Sequence, residues 1–214
     1  MKVVYIYAAI GDSLTAGVGA PEGFGFAPRY RHAAQEQLRQ PVRLATVGVS
    51  GMDSTGLARL LRSDPELRML LRHAQLISVT IGGNDLIAAA KAFLIDEDPA
   101  HFERALKTFK PCYESILRQL TEVRNGRDTP CIVRTANLYN PFPGQPVAVR
   151  WVARFNTYIQ ECAKSYSNLA VADLHRLVSG SESRLLAPDR VHLNARGYQR
   201  MAELFDRLGY KPLG

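Results

Sequence analysis

Five apolar, β-branched runs separated by stretches of helical periodicity constrain this chain most. They cover residues 3–10, 42–47, 76–81, 131–136 and 169–172. Runs that are apolar on both faces predict strands sandwiched between helix layers, not half-solvated antiparallel strands. Helical patterns fall between them near 26–39, 57–73, 85–94, 100–124 and 148–165. A last one near 195–208 follows Asn194 as a cap and stops before Gly209. Asp64-Pro65-Glu66 predicts a fresh helix start, because aspartate caps and proline suits a first turn. Pro111 should kink or divide the 100–124 helix. The alternation predicts an α/β fold: one three-layer α/β/α domain over 1–214, built on a five-stranded parallel sheet with right-handed crossovers.

A chain of 214 residues, 46% of them hydrophobic, can bury a sizeable core, and its apolar runs are too short to span a bilayer. Lys2 and the apolar run behind it have the look of a short leader. That run leads directly into Gly11-Asp12-Ser13, so cleavage would remove the first strand; the expectation is a strand and a cytoplasmic protein. Cys112, Cys131 and Cys162 are odd in number and scattered, which points to three buried, reduced thiols rather than a disulfide framework or a zinc site. The net charge of +7 comes mostly from arginines interleaved with leucines, such as Arg59, Arg62, Arg68 and Arg72. That is the pattern of solvated helix faces, so nucleic acid is not an expected partner. Oligomeric state leaves no mark in the sequence.

In a parallel sheet the loops after successive strands emerge on one edge, where ligands gather. Ser13 follows the first run, 48–51 the second, Gly82-Gly83-Asn84-Asp85 the third and 137–141 the fourth. The segment after the fifth leads to Asp189 and His192. Every polar or glycine-rich motif therefore converges on one rim. A serine between strand and helix is often only an N-cap. As a nucleophile it needs a base, and His192 has a carboxylate three residues upstream that could hold its Nδ1 proton. Equally, Asp189 could cap a turn and His192 pack beneath the last helix. Gly51 allows a close backbone approach and Asn84 offers a side-chain amide, so with the Ser13 N–H they could hold an oxyanion; each could also be a plain turn residue. Asp12, Asp85 and Asp173, near the rim, are expected to bond loop backbones. His32, His73, His101 and His175 receive no role, and Asp96, Glu97 and Asp98 read as a solvated loop, not a metal site.

These residues resemble the GDSL-type SGNH hydrolases in four separated blocks. Gly11-Asp12-Ser13-Leu14 matches the first, Val47-Gly48-Val49-Ser50-Gly51 the second, Gly82-Gly83-Asn84-Asp85 the third and Asp189-Arg190-Val191-His192 the fourth. The resemblance runs from residue 3 to about 206. It implies a flavodoxin-like sheet, a Ser13–His192–Asp189 triad and an oxyanion hole from Ser13, Gly51 and Asn84. It further implies hydrolysis of esters or thioesters with no metal or organic cofactor. Thr46 departs from the asparagine common at the opening of the second block, a change expected to affect loop anchoring more than catalysis. Asn137-Leu138-Tyr139-Asn140-Pro141 looks like a segment of bacterial lipase-like members.

The expected partner is a small-molecule ester or lipid, without stable membrane insertion. Segments 86–97, 138–152 and 176–188 are expected to wall the acyl and alcohol sites, with Phe93, Leu94, Phe142, Trp151, Leu185 and Leu186 as candidates for an apolar chain. Arg150, Arg184 and Arg190 could favour an anionic headgroup, or be solvated. Two other activities fit the same rim: an acyltransferase using the same acyl-enzyme, and a non-enzymatic module holding an anion at helix N-termini. Gly-x-Ser-x-Gly, nucleotide-loop and His-Glu-x-x-His patterns are absent.

Overall fold

The computed structural model describes residues 4–126 and 128–214. Its sheet contains β1 (Tyr5–Gly11), β2 (Val42–Gly48), β3 (Leu76–Thr80), β4 (Ile132–Ala136) and β5 (Leu169–Ala172). The order is β2-β1-β3-β4-β5 and every pairing is parallel, the five-stranded flavodoxin-like sheet that was expected. Val3, the first residue of the first expected run, lies outside the described residues.

Alternation along the strands divides the interior into two cores. Ala8, Ile10, Ile77, Val79 and Val133 face one core, covered by α3 (Ser54–Ser63), α4 (Pro65–His73), α5 (Gly83–Asp96), α6 (Ala100–Glu122) and α7 (Pro146–Ala163). Tyr7, Ala9, Leu76, Ile132 and Ala136 face the other, beneath α2 (Phe26–Leu38), α8 (Leu174–Val178) and α10 (Ala195–Asp206). Two short helices at or near the rim, α1 (Ser13–Ala16) and α9 (Glu182–Leu185), complete the set, and with α8 they lay beyond the sequence reading. Each is too short for an apolar repeat to show.

Local chemistry fixes several boundaries. Asp64 accepts the N–H groups of Glu66 and Leu67, both at 2.9 Å, and Pro65 opens α4, so the expected break falls where capping places it. Asn194 caps α10 by accepting the Gly197 N–H at 2.9 Å. Pro111 does not divide α6, which runs as one helix of 23 residues. Phe102, Leu106, Phe109, Tyr113 and Ile116 are buried on both sides of it, and that packing outweighs one missing backbone bond. All three cysteines are free, but only Cys131 is buried; Cys112 and Cys162 are half-exposed on their helices, a correction to the expected trio. No helix among the described residues is long and apolar enough to cross a membrane.

Candidate active site

The rim is built by loops that tie each other down. Gly11 ends β1 at φ 137°, and a Cβ there would lie 2.0 Å from the Thr80 carbonyl oxygen, so only glycine brings β1 this close to β3. Asp12 then caps α1 by accepting the Leu14 N–H at 3.0 Å, and also accepts the Thr80 hydroxyl at 2.7 Å. Burial pushes the Asp12 carboxyl up, only partly opposed by those two bonds. Since Asp12 is the cap, Ser13 is not spent on capping. It is the first helical residue, buried to 7% exposure, with its hydroxyl turned toward His192.

His192 arrives from 179 residues away. Its Nε2 lies 2.9 Å from Ser13 Oγ and its Nδ1 lies 2.6 Å from Asp189 Oδ2. Asp189 also does the turn-capping job: its Oδ1 accepts the N–H groups of Val191 at 2.9 Å and His192 at 3.0 Å. The two readings of Asp189 therefore hold together, one on each carboxylate oxygen. Partial burial pushes this carboxyl up, but the bonds from the His192 ring, the His192 N–H and the Val191 N–H pull it down to about 2. Arg190 completes the tight turn at φ 58°.

The second and third blocks are clasped by adjacent residues. Asn84 Nδ2 donates to the Met52 carbonyl at 2.8 Å, leaving its second hydrogen uncommitted to that bond. Asp85 accepts the Ser54 N–H at 3.0 Å and the Ser54 hydroxyl at 2.5 Å. Burial raises the Asp85 carboxyl, with Ser54 pulling the other way. Ser54 is fully buried and was missed in the sequence; Asp53-Ser54 just before the Leu57 apolar repeat is the capping signal that marks it. Gly51, at φ 82°, is exposed in the same loop beside Met52, while Ser13 and Asn84 line the cavity described next.

Asp12, Asp85 and Asp173 all bond neighbouring loops as expected, Asp173 by accepting the Arg176 N–H at 3.1 Å and the Asn137 amide at 2.8 Å. Asn137 also accepts the His175 N–H at 2.8 Å, and the Tyr139 hydroxyl donates to the Val191 carbonyl. The segment after β4 thus braces the turn that carries His192, a role its sequence did not announce. Gly19, at φ 96°, is a further unread support: a Cβ there would lie 2.9 Å from His192 Cβ and 2.5 Å from the Leu193 carbonyl.

Beside Ser13 opens a cavity of about 400 Å³. Leu86, Ile87, Ala90, Phe93 and Leu94 of α5 form one wall, with Leu138, Phe142, Trp151 and Val152 opposite. Phe102 closes its flank, stacked on Trp151 with ring centres 5.4 Å apart. Segments 86–97 and 138–152 therefore contribute walls, but 176–188 does not. Leu185 and Ala187 are buried instead, and their backbones bond Asn194 and His192, so this segment supports the His192 turn. Nor do Arg150, Arg184 and Arg190 line the cavity.

Comparison with known proteins yields consistent matches. Residues 9–200 match the GDSL-like Lipase/Acylhydrolase family. The chain is 33% identical over 207 residues to a spore germination lipase, LipC, of Bacillus licheniformis, covering 95% of this chain and 96% of that one. A lipase from goat rumen metagenome, Lip_vut3, superposes with a TM-score of 0.93 at 33% identity, over 98% of this chain and 100% of the other. The acetylxylan esterase Axe2 of Geobacillus stearothermophilus shares the fold, with a TM-score of 0.72 at 17% identity over 97% and 95% of the two chains.

Proposed function

Since the chain belongs to the GDSL-like lipase/acylhydrolase family and is a carboxylic ester hydrolase, we propose that it works through an acyl-enzyme on Ser13. The unbroken line Asp189–His192–Ser13, with contacts of 2.6 and 2.9 Å, is the observation that carries this reading. His192 takes the Ser13 proton through Nε2 as Oγ attacks the ester carbonyl. Asp189, a carboxylate bonded to Nδ1, fixes the tautomer and stabilises the imidazolium. The N–H groups of Ser13 and Gly51 and the uncommitted Asn84 amide hydrogen receive the oxyanion, and losing one such donor costs about a hundredfold in turnover. His192 then returns its proton to the leaving alcohol and activates water for deacylation. The apolar cavity holds the acyl chain. A thioester presents the same carbonyl to the same groups, and an alcohol in place of water would make the protein an acyltransferase. The anion-binding module loses its footing, since the family is enzymatic and the cavity beside Ser13 is apolar.

A fluorophosphonate probe tests this directly. Mass spectrometry is expected to find one adduct, on Ser13. Ser13→Ala should lose both the adduct and hydrolysis of a p-nitrophenyl ester while keeping its melting curve. Activity retained in that variant removes Ser13 from the mechanism, and product analysis with an added alcohol separates hydrolysis from transfer.

A further inference from the structure

Among the described residues eight large apolar side chains stand exposed, and four of them, Leu94, Ile95, Phe142 and Val149, are cavity-lining residues or immediate chain neighbours of lining residues. Leu94 and Phe142 are themselves cavity walls. Ile95 follows Leu94 in the last turn of α5, and Val149 lies one turn beyond the lining residue Gln145, whose carbonyl accepts its N–H at 3.1 Å. Leu94 is 81% and Ile95 87% exposed. Single exposed leucines are ordinary, but a cluster continuous with an apolar pocket marks an interaction surface.

The segments that carry these side chains, 91–104 and 149–154, are balanced in charge: Lys91, Arg104, Arg150 and Arg154 stand against Asp96, Glu97, Asp98 and Glu103. Asp98 pairs with Arg104 at 3.5 Å and Glu103 with Arg154 at 2.5 Å. Such a collar carries little net field, which suits an apolar or zwitterionic face better than a strongly charged one. A second copy of the chain seated on it would close the mouth through which an acyl chain must enter.

We propose that the collar of Leu94, Ile95, Phe142 and Val149 seats the protein on a zwitterionic lipid surface, so that an acyl chain slides from the lipid into the cavity without crossing water. This rests on the reading that the cavity takes the acyl chain of an ester attacked by Ser13. Contact with lipid buries the collar, so attachment is driven by apolar area and resists added salt.

Full-length Ser13→Ala protein and phosphatidylcholine vesicles separate docking from catalysis. The protein is expected to co-sediment with vesicles equally at low and high salt. Adding Ile95→Glu and Val149→Glu, neither of which lines the cavity, should weaken binding at least about tenfold. In the active background the same two changes should leave hydrolysis of a soluble short ester within about twofold, which shows the fold and site intact. Absence of co-sedimentation overturns docking, as does equal binding by the double variant. A wild-type dimer in gel filtration that the double variant dissolves assigns the collar to self-association and also overturns it. None of these outcomes touches the acyl-enzyme reading, which the fluorophosphonate adduct decides.

Discussion

At the scale of single residues, the site depends on which polar atom is already occupied. Asp12 takes the helix cap and so leaves the Ser13 hydroxyl for His192. Asp189 divides its two oxygens between a turn and an imidazole. The pH response follows. On the proposed mechanism an imidazolium cannot accept the Ser13 proton, so the rate should fall as the pH is lowered from about 8 to 5. Asp189, held at about 2, remains a carboxylate throughout and adds no second limb there. Because that pKa lies below the ordinary 3.8, the stabilisation it lends is present above about pH 4 and is lost as pH falls through about 2. A rate profile for a soluble ester checks this; a flat profile would remove His192 as the base. Gly19 supplies a steric counterpart. Gly19→Ala drives a Cβ into His192 and the Leu193 carbonyl at a positive φ, so kcat should fall about tenfold or more, with destabilisation of about 1–2 kcal/mol. Steady-state kinetics and urea titration measure the two effects.

At the scale of elements, α5 both supplies the site and walls the cavity. Asn84 stands in its first turn beside Ser13 and Leu94 near its end, ten residues on, which is a rise of about 15 Å. An acyl chain laid along this wall buries one methylene after another, each worth about 0.8 kcal/mol. On p-nitrophenyl esters of increasing length, kcat/KM should climb by up to about fourfold per methylene and level off once the chain outruns Leu94. A series with no slope would show that the cavity is not the acyl site. The α5 start and end were placed within two residues by the apolar pattern alone, whereas α8 and α9 were invisible. The five-residue helix Leu174–Val178 is held by the Asp173 cap and by burial of Leu174 and Val178, and the four-residue Glu182–Leu185, without a side-chain cap, by burial of Leu185 and its backbone bond to Asn194. The same absence of pattern explains why 176–188 was expected at the cavity: two leucines in a loop suit a pocket wall or a core equally, and Leu185 went to the core.

At the scale of the molecule, two cores hold one sheet between them while the chemistry sits on its edge. Phe205, fully buried against Phe26 and Tyr30, belongs to the core on the face away from the cavity-lining helices α5 to α7. Phe205→Ala should lower stability by about 3–5 kcal/mol in urea titration. Below its melting transition it should keep kcat within about threefold, because no site group leans on that ring. A large loss of kcat in folded protein would show the rim coupled to this core.

The sequence by itself determined the strand runs, the parallel topology and the four blocks that meet at the rim. Those features follow from apolar period, capping residues and the rule that parallel strands point their ends one way. Only the tertiary structure decided that Asp12 rather than Ser13 caps α1, that Ser54 anchors Asp85, that Tyr139 and Gly19 brace the His192 turn, and which apolar loops reach the cavity. Apart from the Asp12 cap, which is settled two residues away, these outcomes are contests for hydrogen bonds and space between residues about 30 to 175 positions apart, and no local pattern records which partner prevails.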